Sequence, residues 1–97
     1  MDVDKVYETV EETKESAVQR QLILNYLNSC VRLLETDPEA RQDIAYNITS
    51  LSSTEYAQSL DEEDPLSITF EFSTELETAD ENHEDWPLLV ELIKSLE

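Results

Sequence analysis

Ninety-seven residues are one domain's worth of chain, and 24 Asp/Glu against 6 Lys/Arg give it a net charge of −18. Such a balance excludes direct binding of nucleic acid, which needs a basic patch, and works against an anionic membrane surface. Glycine is absent, which removes the phosphate-cradling loops and dinucleotide fingerprints of nucleotide enzymes and the sharp turn of an EF-hand.

A hydrophobic fraction of 39%, arranged in periodic runs, predicts a folded core. The single cysteine, Cys30, permits no internal disulfide; its neighbours Leu27, Val31 and Leu34 predict a buried thiol acting as a small hydrophobe. The opening Met-Asp-Val-Asp-Lys has neither the basic nor the apolar region of a signal peptide, and no apolar run reaches membrane-spanning length, so the expected compartment is the cytoplasm. Against that background the sequon Asn47-Ile48-Thr49 reads as a chance match.

In chain order, Val3, Val6, Val10, Thr13, Ala17, Arg20, Leu24, Leu27, Val31 and Leu34 repeat at alternating spacings of three and four, which predicts a long N-terminal helix. The apolar face widens between Leu22 and Leu34, placing the second half in the core. Ser16-x-x-Gln19 offers a capping box that would restart a helix, but the heptad phase runs through it and favours continuity. An unbroken helix would be about 50 Å long and would protrude from a domain of this size. Thr36-Asp37-Pro38-Glu39 marks a boundary with proline in a first turn. Ala40, Ile44, Ile48 and Leu51 then predict a second helix, with a strand through Ile44, Tyr46 and Ile48 as its alternative. Ser52-x-x-Glu55 offers a further cap, before a short helical piece from Tyr56 to Leu60.

Asp61-Glu62-Glu63-Asp64-Pro65 reads as a loop. Leu66 to Ser73 alternates apolar and polar residues and is rich in β-branched and aromatic types, which predicts a β-strand or hairpin at 66–73, with Glu71 as a charged gatekeeper. A lone strand needs a mate: residues 43–51, a second subunit or another protein. Trp86 to Leu96 predicts a C-terminal helix, with Asp85 at its N-cap, Pro87 in its first turn and Leu89, Leu92, Ile93 and Leu96 as its stripe. The fold class expected is therefore mainly α with a minor β element (α+β), in a single acidic domain spanning 1–97. The unusually long helix and the unpaired strand both predict a homodimer, with self-association through Val10, Ala17, Leu24, Leu27, Val31, Ile68, Phe70 and Phe72.

The charge is unevenly placed. Residues 1–60 carry 11 acids and 5 Lys/Arg, a net of −6, whereas residues 61–97 carry 13 acids and Lys94 alone, a net of −12. The first part reads as a helical scaffold and the second as an acidic strand-loop-helix segment. At one charge per 1.7 Å of duplex, 12 negatives match roughly 20 Å of B-DNA. The function expected is that of a non-enzymatic, acidic, protein-binding regulator or inhibitor. Its surface of Asp61, Glu62, Glu63, Asp64, Glu75, Glu77, Asp80, Glu81, Glu84 and Asp85 would engage a partner protein with a basic nucleic-acid-binding surface, by mimicking nucleic-acid charge. The alternative is an assembly protein that dimerises through helix 3–34 and strand 66–72, its acidity serving only solubility. No cofactor, metal site or catalytic residue is expected. His83, the one histidine, lies among Asp80, Glu81, Glu84 and Asp85, but adjacent loop residues rarely converge on one ion, so a metal-dependent enzyme is the weakest reading. Paired catalytic carboxylates cannot be picked out of so many acids without knowing their environments.

Overall fold

A computed structural model describes residues 2–96, and these fold as six α-helices: α1 (Val3–Glu12), α2 (Ser16–Thr36), α3 (Arg41–Ser50), α4 (Glu55–Gln58), α5 (Pro65–Leu76) and α6 (Trp86–Lys94). Short 3-10 turns at Pro38–Ala40 and Leu51–Ser53 lead into α3 and α4. Helices α2, α3, α5 and α6 close a ring, in which α2 packs on α3 and α6, and α5 packs on the same two. Helices α1 and α4 lie against α2 and against each other. The chain measures 38 × 27 × 22 Å.

The 3–34 helix is not continuous. Backbone at Thr13 and Glu15 is extended, which ends α1 and starts α2 anew. The Ser16-x-x-Gln19 capping box does not form: α2 has no side-chain cap. Gln19 instead donates from Nε2 to the Val10 carbonyl at 2.9 Å, and Thr13 Oγ1 donates to the Thr9 carbonyl at 2.7 Å. These two side chains add a second donor to carbonyls in the last turn of α1 that also accept from the Thr13 amide. The break lets α1 fold back, so Val6 and Val10 are buried inside the chain and need no partner molecule.

The predicted strand at 66–73 is a helix. Its start is specified by Asp64, whose carboxylate accepts from the Leu66 amide at 2.9 Å, with Pro65 in the first turn. Its buried face is Leu66, Thr69, Phe70, Ser73 and Leu76, a spacing of three and four rather than two. Two of these are hydroxyl residues that turn inward: Thr69 Oγ1 donates to the Pro65 carbonyl and Ser73 Oγ to the Ala45 carbonyl, each at 2.8 Å. Small side chains there let α5 sit close on α3. The strand alternative for 43–51 also falls, because Ile44, Ala45 and Ile48 form the buried face of α3. Among the described residues there is no strand, so the unpaired edge and the protruding helix that predicted a dimer are both absent.

No backbone angle among the described residues lies in the left-handed region, in keeping with a chain that has no glycine. The turns use aspartate instead. Asp2, Asp61 and Asp80 each accept from the amide two residues on, at 3.0, 3.0 and 2.8 Å, so part of the acidity of the loops is turn chemistry.

Candidate protein-binding surface

The predicted acidic residues occupy two turns and the helix between them. Asp61, Glu62 and Glu63 are exposed in the turn before α5, Glu75 is exposed on α5, and Asp80 and Glu84 are exposed after it; Glu77, Glu81 and Asp85 are half-buried. Glu71, read as a gatekeeper, is exposed on α5. A helix of 12 residues is about 18 Å long; the acidic strip consists of Glu71 and Glu75 on its surface with an acidic turn at each end.

Asp64 does not belong to this display. Its carboxylate takes both Arg20 guanidinium nitrogens, Nη1 at 3.1 Å and Nη2 at 3.0 Å, while also capping α5. Tyr56 Oη lies 3.4 Å from Arg20 Nη1. The Arg20 hydrogen bonds, against some opposing desolvation and with help from the Leu66 amide, hold the Asp64 carboxyl below its usual range, and the same contact raises Arg20. Asp64 therefore ties the start of α2 to the start of α5.

The loop from Glu77 to Asp85 is fixed through its backbone. Arg41 Nη1 donates to the Glu81 carbonyl at 2.8 Å, while Arg41 Nε takes the Leu34 carbonyl at 2.7 Å. Gln42 donates to the Ala79 carbonyl, and the indole N–H of buried Trp86 donates to the Asp80 carbonyl at 2.8 Å. Three side chains thus hold three successive carbonyls, and Arg41 spends its donors on main chain rather than on carboxylates. The ammonium of Lys94 lies 3.7 Å from Glu35, outside the strip.

His83 accepts from the Asp85 amide at Nδ1, 3.1 Å away. That nitrogen is 3.8 Å from the Asp85 carboxylate, and both side chains are well exposed. Among the described residues no three His, Cys, Asp or Glu side chains gather to hold a metal ion. Cys30 is buried, and burial pushes its thiol up against the smaller opposing effects of Tyr26 and Ser29. The Tyr26 hydroxyl is raised by burial first and then by Cys30.

Of the residues predicted for self-association, Val10, Leu24, Leu27 and Phe70 are buried in the chain's own core. Val31 and Phe72 are partly buried, Ala17 is exposed, and Ile68 is 42% exposed. Ile68 and Phe72 stand beside Leu88 and Leu92 in an open groove of about 550 Å³ between α5 and α6, with Glu91 and Ser95 completing its lining. Leu88, 52% exposed, and Glu91 were not singled out from the sequence. The signal was present: α6 has apolar residues at Leu88, Leu89, Val90, Leu92 and Ile93, too many for one buried face. Leu89, Val90 and Ile93 fill the core, which leaves Leu88 and Leu92 for the other side. A second cleft, of about 230 Å³, lies where Leu34, Glu35 and Arg41 meet Pro87, Val90 and Glu91.

No helix among the described residues is long and apolar enough to cross a membrane. Compared with protein-family models, curated proteins and solved structures, the chain matches none.

Proposed function

We propose that this protein is a non-enzymatic, cytoplasmic regulator that binds another protein, and that the acidic strip along α5 engages a basic, nucleic-acid-binding surface of that partner. The observation that carries this reading is the main-chain anchoring of residues 79–81 by Arg41, Gln42 and Trp86. Anchoring by carbonyls orders the loop without neutralising its carboxylates. Binding therefore costs little loop ordering, and the charges stay available for a cationic surface.

The test is capture from lysate, followed by identification and competition. Nucleic-acid-binding proteins should be retained, released by 0.5 M salt and displaced by duplex DNA. Retention that duplex DNA does not displace would sink the mimicry. The rival assembly reading keeps Ile68 and Phe72 as its contacts. A symmetric dimer through them would set Glu71, Glu75 and Glu91 against their own copies, which disfavours it. Light scattering at 0.15 M salt, where repulsion between copies is screened, tests the assembly reading, with a monomer expected.

A further inference from the structure

Apolar residues on α5 and α6 outnumber what the core can take. The inward face of α5 is complete with Leu66, Phe70 and Leu76, and that of α6 with Trp86, Leu89, Val90 and Ile93. Ile68, Phe72, Leu88 and Leu92 remain and adjoin one another as a single groove rather than scattering over the surface. Isolated exposed hydrophobes need no explanation, but a contiguous apolar groove with a polar rim does.

The rim is of one sign. Glu91 lines the groove itself. Glu71 and Glu75 are exposed and follow Ile68 and Phe72 by three residues each, which places them beside the groove on the surface of α5. No Lys or Arg lines it, and Lys94 is turned to Glu35. An acidic or neutral occupant would leave this rim uncompensated, and a second copy of the chain would double it. The backbone narrows the choice further. With no strand among the described residues, no sheet edge is available to pair an extended peptide's amides and carbonyls, whereas a helix satisfies its own and presents only side chains.

We propose that the α5–α6 groove is the docking site for an amphipathic helix of a partner protein, one whose apolar stripe is flanked by Lys and Arg. The stripe seats on Ile68, Phe72, Leu88 and Leu92, and the flanking cations meet Glu71, Glu75 and Glu91. The inference rests on the protein-binding reading above and adds an apolar, shape-dependent contact to it.

The experiment uses the full chain and two synthetic peptides of identical composition. In one, Leu recurs at helical spacing between Lys and Arg; in the other, the same residues are shuffled so that no stripe exists. Calorimetric titration should give at least tenfold tighter binding of the striped peptide. The double variant Ile68→Gln/Leu88→Gln should abolish that preference without lowering Tm, because both residues are exposed. Glu71→Gln/Glu75→Gln should weaken both peptides and flatten the salt dependence. Equal binding of the two peptides overturns the groove while leaving the acidic strip intact as an electrostatic surface. An unchanged preference in the Ile68→Gln/Leu88→Gln variant overturns it as well. So does a dimer in light scattering that this variant converts to monomer, since the occupant is then a second copy. Conversely, stripe-selective binding combined with lysate capture that DNA does not displace keeps the groove and removes the nucleic-acid mimicry.

Discussion

Asp64 shows how one carboxylate among many acquires a separate role. It accepts two hydrogen bonds from Arg20 and one from the Leu66 amide, so its removal takes away a helix cap and strands a half-buried guanidinium. Asp64→Ala should destabilise the fold by about 2 kcal/mol, which for a chain of this size lowers Tm by roughly 10 °C. Asp64→Asn keeps an acceptor for the cap and loses only the charge, so it should cost less. The two substitutions also separate pH effects. Asp64 titrates below its ordinary value of 3.8 in the folded chain, so its charge stabilises the fold above that pH. Below pH 3.8 the unfolded chain takes up the proton first, and the contribution fades as the folded carboxyl is protonated in turn. Urea unfolding of wild type and Asp64→Asn should therefore differ at pH 6 and converge as pH falls below 3.8. A gap that stayed constant through that range would show that the ion pair is not what Asp64 supplies.

At the scale of elements, α5 is the instructive case. Its segment Leu66-Ser67-Ile68-Thr69-Phe70-Glu71-Phe72-Ser73 satisfies a period of two in its apolar residues and a period of 3.6 only if Thr69 and Ser73 count as core. Both are fully buried, which hydropathy alone does not reveal because their hydroxyls are satisfied by local and α3 carbonyls. The legible signal was Asp64-Pro65, a cap followed by proline at the first helical position; Asp37-Pro38 shares the order of residues, although Asp37 makes no side-chain cap. The boundary near residue 37 and the start of the C-terminal helix were readable from Pro38 and Pro87 in first turns, and α3 from the spacing of Ala40, Ile44, Ile48 and Leu51; Asp85 makes no side-chain cap. The break at Thr13–Glu15 was not, because the heptad phase survives it and the contacts that hold it, Gln19 to Val10 and Glu11 to the Glu55 amide, are tertiary. Of the acidic surface, location along the chain was legible. The withdrawal of Asp64 into an ion pair, and the groove beside the strip, depend on the helical period of α5. Alanine substitutions along α5 test that period. Phe70→Ala should cost about 3–5 kcal/mol, whereas Ile68→Ala, at 42% exposure, should cost under about 1 kcal/mol. A strand with one buried face would lose comparably at both, so equal losses in urea unfolding would contradict the helix.

For the whole molecule, the governing quantity is −18 on a body of 38 × 27 × 22 Å. At 0.01 M salt the Debye length is about 30 Å, so carboxylates repel one another across the entire protein; at 0.15 M it is about 8 Å and only neighbours interact. The unfolded chain spreads the same charges further apart, so self-repulsion penalises the folded state. Raising NaCl from 0.01 to 0.15 M should therefore stabilise the fold by on the order of 1 kcal/mol, a rise in Tm of about 4–8 °C. A complex held by the acidic strip responds in the opposite sense, because salt screens attraction to a basic partner just as it screens repulsion within the chain. Affinity for such a partner should fall at least tenfold over the range in which the free protein becomes more stable. The opposition of sign gives the measurement its force. Loss of binding with salt cannot then be ascribed to loss of folding, and the part of the affinity that persists at high salt reports the apolar contact of the α5–α6 groove. Scanning calorimetry of the free chain and titration with the striped peptide, run in the same buffers, give both slopes. If Tm and affinity moved in the same direction with salt, the surface charge would not be what draws the partner.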